Sequence, residues 1–150
     1  MIYADTSALV KLYADEDGSL DVRRLADPFV TSTLTQVEVI SALWRKHRRS
    51  ELDVESVGVL TAEFWADIRG VDRPSPRFHL AATTPNVLTE AARLVARHQL
   101  RAYDAVHLST AITVAAATDA VGQFAAFDRH LRRAAVAEGF AVIPNSPTGG

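Results

Sequence analysis

Four acidic residues sit where carboxylates could act together: Asp5, Glu38, Asp104 and Asp128. Asp5 closes the apolar run Met1 to Ala4 and precedes Thr6 and Ser7, and Asp128 closes a second apolar run, Val121 to Phe127. Glu38 follows the β-branched segment Phe29 to Thr33, and Asp104 opens the Ala-rich stretch that reaches Ala117. Each acid also has a local explanation. Asp is a favoured helix N-cap, Thr35-Gln36-Val37-Glu38 fits the S/T-x-x-E capping box, and an Asp in a first turn gains about 0.3–1 kcal/mol from the helix dipole. Capping can explain each acid singly, whereas one shared site explains all four. Carboxylates gathered about 4 Å apart would repel by about 4 kcal/mol at an effective dielectric near 20, so such a site calls for a cation. The chain has no cysteine and no paired histidine beside these acids. An all-oxygen donor set selects a hard ion, Mg²⁺ or Mn²⁺, and with it metal-assisted phosphodiester hydrolysis.

The elements needed to position these acids can be read from periodicity. Met1 to Ala4 is too short for anything but a buried strand, and Ala8, Leu9, Leu12 and Tyr13 then share one helix face. Asp15 to Gly18 reads as a turn and Ser19 to Ala26 as a short helix with Leu20 and Leu25 inward, ended by Asp27-Pro28. Phe29 to Thr33 predicts a strand, and Thr35 to Arg49 a helix with Val37, Ile40, Leu43 and Trp44 on one face. A helix from Asp53 to Ile68 follows, making an αα-hairpin with its predecessor. Gly70 to Arg77 is a loop, and Phe78 to Ala82 is extended without an evident place in a sheet. Thr84-Pro85 starts a helix that ends near His98. The helix Tyr103 to Ala117 is apolar enough to be buried. Val121 to Phe127 predicts a strand, Arg129 to Glu138 a helix closed by Gly139, and Phe140 to Ile143 a last strand. Strands alternating with helices imply an α/β fold with a mainly parallel sheet. Asp5 and Asp128 would then project from one carboxyl edge, where open α/β sheets bind ligands.

At 150 residues one domain is expected, residues 1–143, with 144–150 a flexible tail. Without a basic-then-apolar leader or an apolar run near 18 residues, the expectation is a cytoplasmic protein that does not enter membranes. A net charge of −2 argues against coating nucleic acid by bulk electrostatics. Arginines are nonetheless clustered, with Arg45 and Arg48 in one basic run and Arg132 and Arg133 in another. These are either solvated helix faces or contacts to RNA phosphates and bases. Trp44, Phe64 and Trp65 are either core or a partner or dimer contact. His107 reads as a buried histidine supporting its neighbours rather than a ligand.

Together, Asp5-Thr6-Ser7-Ala8-Leu9-Val10-Lys11-Leu12-Tyr13, Thr35-Gln36-Val37-Glu38-Val39, Tyr103-Asp104-Ala105-Val106-His107-Leu108 and Phe127-Asp128-Arg129-His130-Leu131 resemble the four acidic signatures of PIN-domain nucleases. Over residues 1–143 the ordered set resembles the VapC-type toxins of toxin–antitoxin pairs. That resemblance implies a PIN-like three-layer α/β/α fold and a Mg²⁺- or Mn²⁺-dependent endoribonuclease. It further implies an RNA substrate from the translation apparatus (tRNA, rRNA or mRNA), a homodimer, and a cognate antitoxin protein whose tail covers the site. By position, Asp5 and Asp104 would bind metal, with Asp128 binding directly or through water. Glu38 would complete the set and orient water, and Thr6 or Ser7 would support the carboxylates with a hydroxyl. The helices Thr35 to Arg49 and Asp53 to Ile68 correspond to the arm that antitoxins grip. One departure stands out: the family often carries Thr or Ser two residues before the fourth acid, and here that residue is Ala126. Rival families fit less well. A haloacid-dehalogenase-like phosphotransferase needs a second Asp at position 7, which is Ser, and a receiver domain needs a late lysine, whereas the only lysines are Lys11 and Lys46. The alternative from another class is a PIN-like module that binds RNA or protein without cutting. The retained acids weigh against it, because without a metal they would only destabilise the fold.

Overall fold

The computed structural model describes residues 1–25, 28–71 and 74–145. Its centre is a five-stranded sheet of β1 (Ile2–Ala4), β2 (Phe29–Ser32), β3 (Phe78–Ala81), β4 (Gln123–Ala125) and β5 (Ala141–Ile143), all pairs parallel, in the order β3-β2-β1-β4-β5. Around it lie α1 (Thr6–Tyr13), α2 (Ser19–Arg23), α3 (Thr35–Arg48), α4 (Val54–Arg69), α5 (Pro85–His98), α6 (Ala102–Thr118) and α7 (Arg129–Ala137).

Strand side chains alternate between two cores, as a pleated sheet requires. Ile2 and Ala4 face one layer with Leu9, Val39, Leu43, Val57 and Phe64 from α1, α3 and α4. Tyr3 faces the other with Leu94, Ala105, Leu108 and Leu131 from α5, α6 and α7. Both sheet faces are therefore covered, which is why the strands are apolar throughout rather than alternating. This is the three-layer α/β/α arrangement.

The strand order has a functional consequence. From β1 the chain winds outward through β2 and β3, then returns to place β4 on the other side of β1 and winds on to β5. The order reverses between β1 and β4, and the crevice at such a switch point is where open sheets receive ligands. Asp5 and Asp128 stand at the ends of those two strands.

Several local expectations are corrected. Phe78–Ala81, which the sequence left without a place, pairs with β2 along its whole length. It is an edge strand whose His79 is exposed, so it lacks the apolar run of a central one. In α2 the buried residues are Ser19 and Val22, while Leu20 is 66% exposed; five residues are too few for periodicity to fix a face. The helix ends at Arg23, and residues 26–27 of the expected span lie outside the described residues, as do 146–150 of the tail. On α3 the buried stripe runs through Val39, Ala42 and Leu43, and Val37 and Trp44 are turned outward.

Candidate active site

Asp5 is the N-cap of α1 and a wall of the crevice at once. Its Oδ1 accepts the Ala8 N–H at 2.9 Å and the Ser7 hydroxyl at 2.7 Å, and Oδ2 lies 2.9 Å from the same hydroxyl. It is 4% exposed. Burial pushes its carboxyl from 3.8 up to about 6, against the pull of His107, the Ala8 amide and Ser7, with Asp104 adding to the rise. Ser7 Oγ also accepts the Phe127 N–H at 3.0 Å. One hydroxyl thus joins the two strand ends on either side of the switch point.

Glu38 does not close a capping box. The N-cap of α3 is Leu34, without a side-chain bond, and the Thr35 hydroxyl is taken by that of Thr31 at 2.7 Å. Glu38 turns inward instead: Oε2 accepts the Thr6 hydroxyl at 2.6 Å and lies 2.7 Å from His107 Nε2. His107 Nδ1 is 3.0 Å from the Tyr3 hydroxyl, and both residues are buried. A Tyr3 hydroxyl donating to Nδ1 places the ring proton on Nε2, from which His107 donates to Glu38. Burial, the largest single influence, pushes the Glu38 carboxyl up, but His107 and Thr6 together outweigh it and hold it below the usual range. Glu38 is kept as an anion.

Asp104, half-buried in the first turn of α6, is raised by burial and then by Asp128 and Glu38, with Arg101 and His107 opposing. Asp128 caps α7, its Oδ1 accepting the N–H groups of His130 at 2.8 Å and Leu131 at 2.9 Å. The capping reading is therefore right for Asp5 and Asp128 without displacing the functional one. All four acids line a single cavity of about 910 Å³, with Thr6, Ser7 and Arg45.

The chemistry of this donor set fits a hard divalent ion. Asp5 is costly as a buried anion, and Asp128 makes Asp104 harder to ionise, so a cation among them relieves both costs. Among the described residues, no group of three His, Asp or Glu side chains is already drawn together to hold an ion. The acids instead hold backbone amides and hydroxyls around the cavity.

The arginines divide. Arg45 lines the cavity, as do Arg49 of the same basic run and Arg101, which the sequence pattern does not single out. Arg48 and Arg133 are not among its lining residues. Arg132 is buried and spends its guanidinium on the carbonyls of Ala126 at 2.7 Å and Pro144 at 2.5 Å; it fastens the chain around β4 and β5 and does not flank the crevice. Tyr103, 63% exposed, also lines the cavity. At the far rim Glu16 pairs with both lysines, Lys11 at 2.7 Å and Lys46. Lys11 Nζ also sits 4.3 Å from the centre of the Phe127 ring.

Comparison with known proteins bears on the family and the fold. The family described as "PIN domain" matches residues 2–137. Two curated proteins of Mycobacterium tuberculosis, Ribonuclease VapC45 (strain CDC 1551 / Oshkosh) and Ribonuclease VapC49 (strain ATCC 25618 / H37Rv), are each 33% identical, covering 96% of this chain and 95% of their own. Among solved structures, Mycobacterium tuberculosis VapC20, described as a Sarcin-Ricin loop cleaving toxin, superposes with a TM-score of 0.62 at 18% identity over 94% of this chain and 97% of its own. PAE2754 from Pyrobaculum aerophilum does so with a TM-score of 0.58 at 19% identity over 95% and 88%.

Proposed function

The chain belongs to the PIN domain family, among its VapC ribonucleases, and from that premise we propose that it is a Mg²⁺- or Mn²⁺-dependent endoribonuclease acting as the toxin of a toxin–antitoxin pair. The observation that carries this reading is the convergence of Asp5, Glu38, Asp104 and Asp128, from four separate elements, on one cavity at the switch point of the sheet. Asp5 and Asp104 would hold the ion, with Asp128 beside them. When bound, the ion supplies Lewis-acid polarisation of a phosphoryl oxygen and a lowered pKa for a coordinated water. Glu38, kept ionised with Oε2 held by Thr6 and His107, presents its other oxygen to orient the attacking water and take up its proton. Arg45 and Arg101 flank the acids and offer bidentate contacts to neighbouring phosphates.

The RNA is one of the translation apparatus: tRNA, rRNA or mRNA. The protein works in the cytoplasm as a homodimer, and a cognate antitoxin silences it by gripping the α3–α4 hairpin, whose Val37 and Trp44 are exposed, and laying a tail over the cavity. Among the described residues no helix is long and apolar enough to cross a membrane. The test is to map new RNA 5′ ends after brief expression of wild type and Asp5→Asn in a bacterium. Ends confined to wild type and clustered at a few sites are expected. Identical end maps would instead favour a PIN-like module that binds RNA or protein without cutting it.

A further inference from the structure

Tyr103 is a large aromatic side chain, 63% exposed, on the wall of the cavity that holds the acids. It does not contribute to either core, and among the described residues its ring stacks on no other. Its place follows from helix periodicity. Residues four apart share a helix face, so Tyr103 lies one turn before His107 on α6, and Leu34 lies one turn before Glu38 at the start of α3. His107 Nε2 and Glu38 Oε2 are 2.7 Å apart, which brings those two faces together. α6 reaches the cavity only through its first turns, whereas α3 runs along the cavity wall from Leu34 to Arg49, so the turns that precede His107 and Glu38 lie at one end of it. There Leu34 and the 72% exposed Val37 line the cavity together with Tyr103 and Arg101. An apolar and aromatic mouth over a floor of carboxylates, with a guanidinium beside it, is an unusual surface for a protein to leave in water. It suits a flat, weakly polar group attached to a phosphate.

We propose that Tyr103, with Leu34 and Val37 opposite and Arg101 alongside, forms a subsite for one unpaired nucleobase of the RNA strand next to the scissile phosphodiester. This rests on the ribonuclease reading and deepens it by naming what the strand must present: a base free of its helical neighbours, so that its face can lie on the phenol ring. Stacking tolerates any base, since each has a π face. The subsite therefore requires unpairing rather than a particular letter. The Arg101 guanidinium then meets the phosphate attached to that nucleotide.

The test uses a pool of randomised single-stranded RNA in which abasic nucleotides are scattered, digested by the full chain with Mn²⁺ and sequenced at the new ends. Wild type should avoid sites whose flanking nucleotide is abasic by about tenfold, within the range that base–aromatic stacking supplies. Tyr103→Ala should lose that discrimination and raise KM on intact RNA by a similar factor with a smaller effect on kcat. Tyr103→Phe, which restores the ring, should recover most of both. Because Tyr103 is exposed, the melting temperatures of all three proteins should agree, which separates the effect from misfolding. Undiminished discrimination and unchanged KM in Tyr103→Ala would overturn the subsite while leaving the ribonuclease intact. A wild type that cuts nothing in the pool yet leaves new ends in cellular RNA would overturn the subsite alone, and one that does neither would overturn the ribonuclease reading with it.

Discussion

A carboxylate buried like Asp5 is a cost the folded protein carries for its site. Its proton affinity is raised from 3.8 to about 6, so the folded state holds the proton more tightly than the unfolded chain does. The penalty is fully present above pH 6 and disappears as the pH falls below the unfolded value. Asp5→Asn, which keeps the N-cap, should therefore stabilise the protein in chelator by on the order of 2–3 kcal/mol at pH 7.5, with the gain fading by pH 4. In wild type, Mn²⁺ should raise the melting temperature, and Asp5→Asn should lose most of that increment. Thermal unfolding with and without Mn²⁺ checks both, and identical curves for the two proteins would count against a shared ion site. Glu38 has the opposite sign: its lowered proton affinity contributes stability above its unfolded value that is lost as acid titrates it. His107→Leu removes the larger of the two partners that together outweigh burial. It should cost about 1–3 kcal/mol in chemical denaturation and move the acid limb of the kcat/KM profile toward neutral pH, while His107→Gln, which keeps a donor, moves it less. Asp5 and Asp128 were legible in the sequence because a strand ending in a capping Asp is a local pattern. Glu38 was ambiguous because its capping-box spacing is real, and only the competition of Thr31 for the Thr35 hydroxyl, from a neighbouring strand, frees it.

Among elements, the connections around α1 set the width of the crevice. Ser7 links β1 to the start of α7, and Phe127 is packed between Lys11 and the turn before α2. A Cβ at Gly18 would lie 2.3 Å from Phe127 Cε1, and Gly18 has φ +84°, a conformation that side chains resist. Gly18→Ala should therefore displace Phe127 and with it Asp128, lowering cleavage along with about 1–3 kcal/mol of stability. Gly58→Ala, where an added Cβ meets nothing within 4 Å in the middle of α4, should instead stabilise by about 0.5–1 kcal/mol without touching activity. A pairwise comparison of melting temperature and RNA cleavage checks the contrast. The order and type of elements were readable because each layer is long enough to show a period. The faces that periodicity misassigns belong to α2, which is only five residues long, and to α3, whose exposed Val37 and Trp44 are apolar without being core. No local rule distinguishes an apolar residue that faces a cavity mouth from one that faces the sheet.

For the molecule as a whole, a net charge of −2 conceals a division of labour, with acids gathered in the crevice and arginines at its edge. Replacing Arg45 and Arg101 with Ala should weaken RNA binding and flatten its dependence on salt, by about 0.7 in logarithmic slope for each phosphate left without a guanidinium on single-stranded RNA. Arg132→Ala should leave that slope unchanged and cost about 2–3 kcal/mol of stability, because two carbonyls are deprived of a charged donor. Filter binding across a salt series, beside urea unfolding, separates the two kinds of arginine. The clusters looked alike in sequence; what divides them is that α3 runs along the crevice as far as Arg49, whereas the Arg132 guanidinium is taken by the carbonyls of Ala126 and Pro144. Finally, the central strand of the sheet is made before all of its neighbours. Ile2 pairs with Gln123, and at about 5–20 residues per second β1 waits on the order of ten seconds for its partner on that side. Until β4 and α7 have emerged, Asp5 faces no Asp128 and Ser7 has no Phe127 amide to hold. The growing chain thus carries only half of the crevice for most of its translation, and the four carboxylates cannot meet until that second half follows.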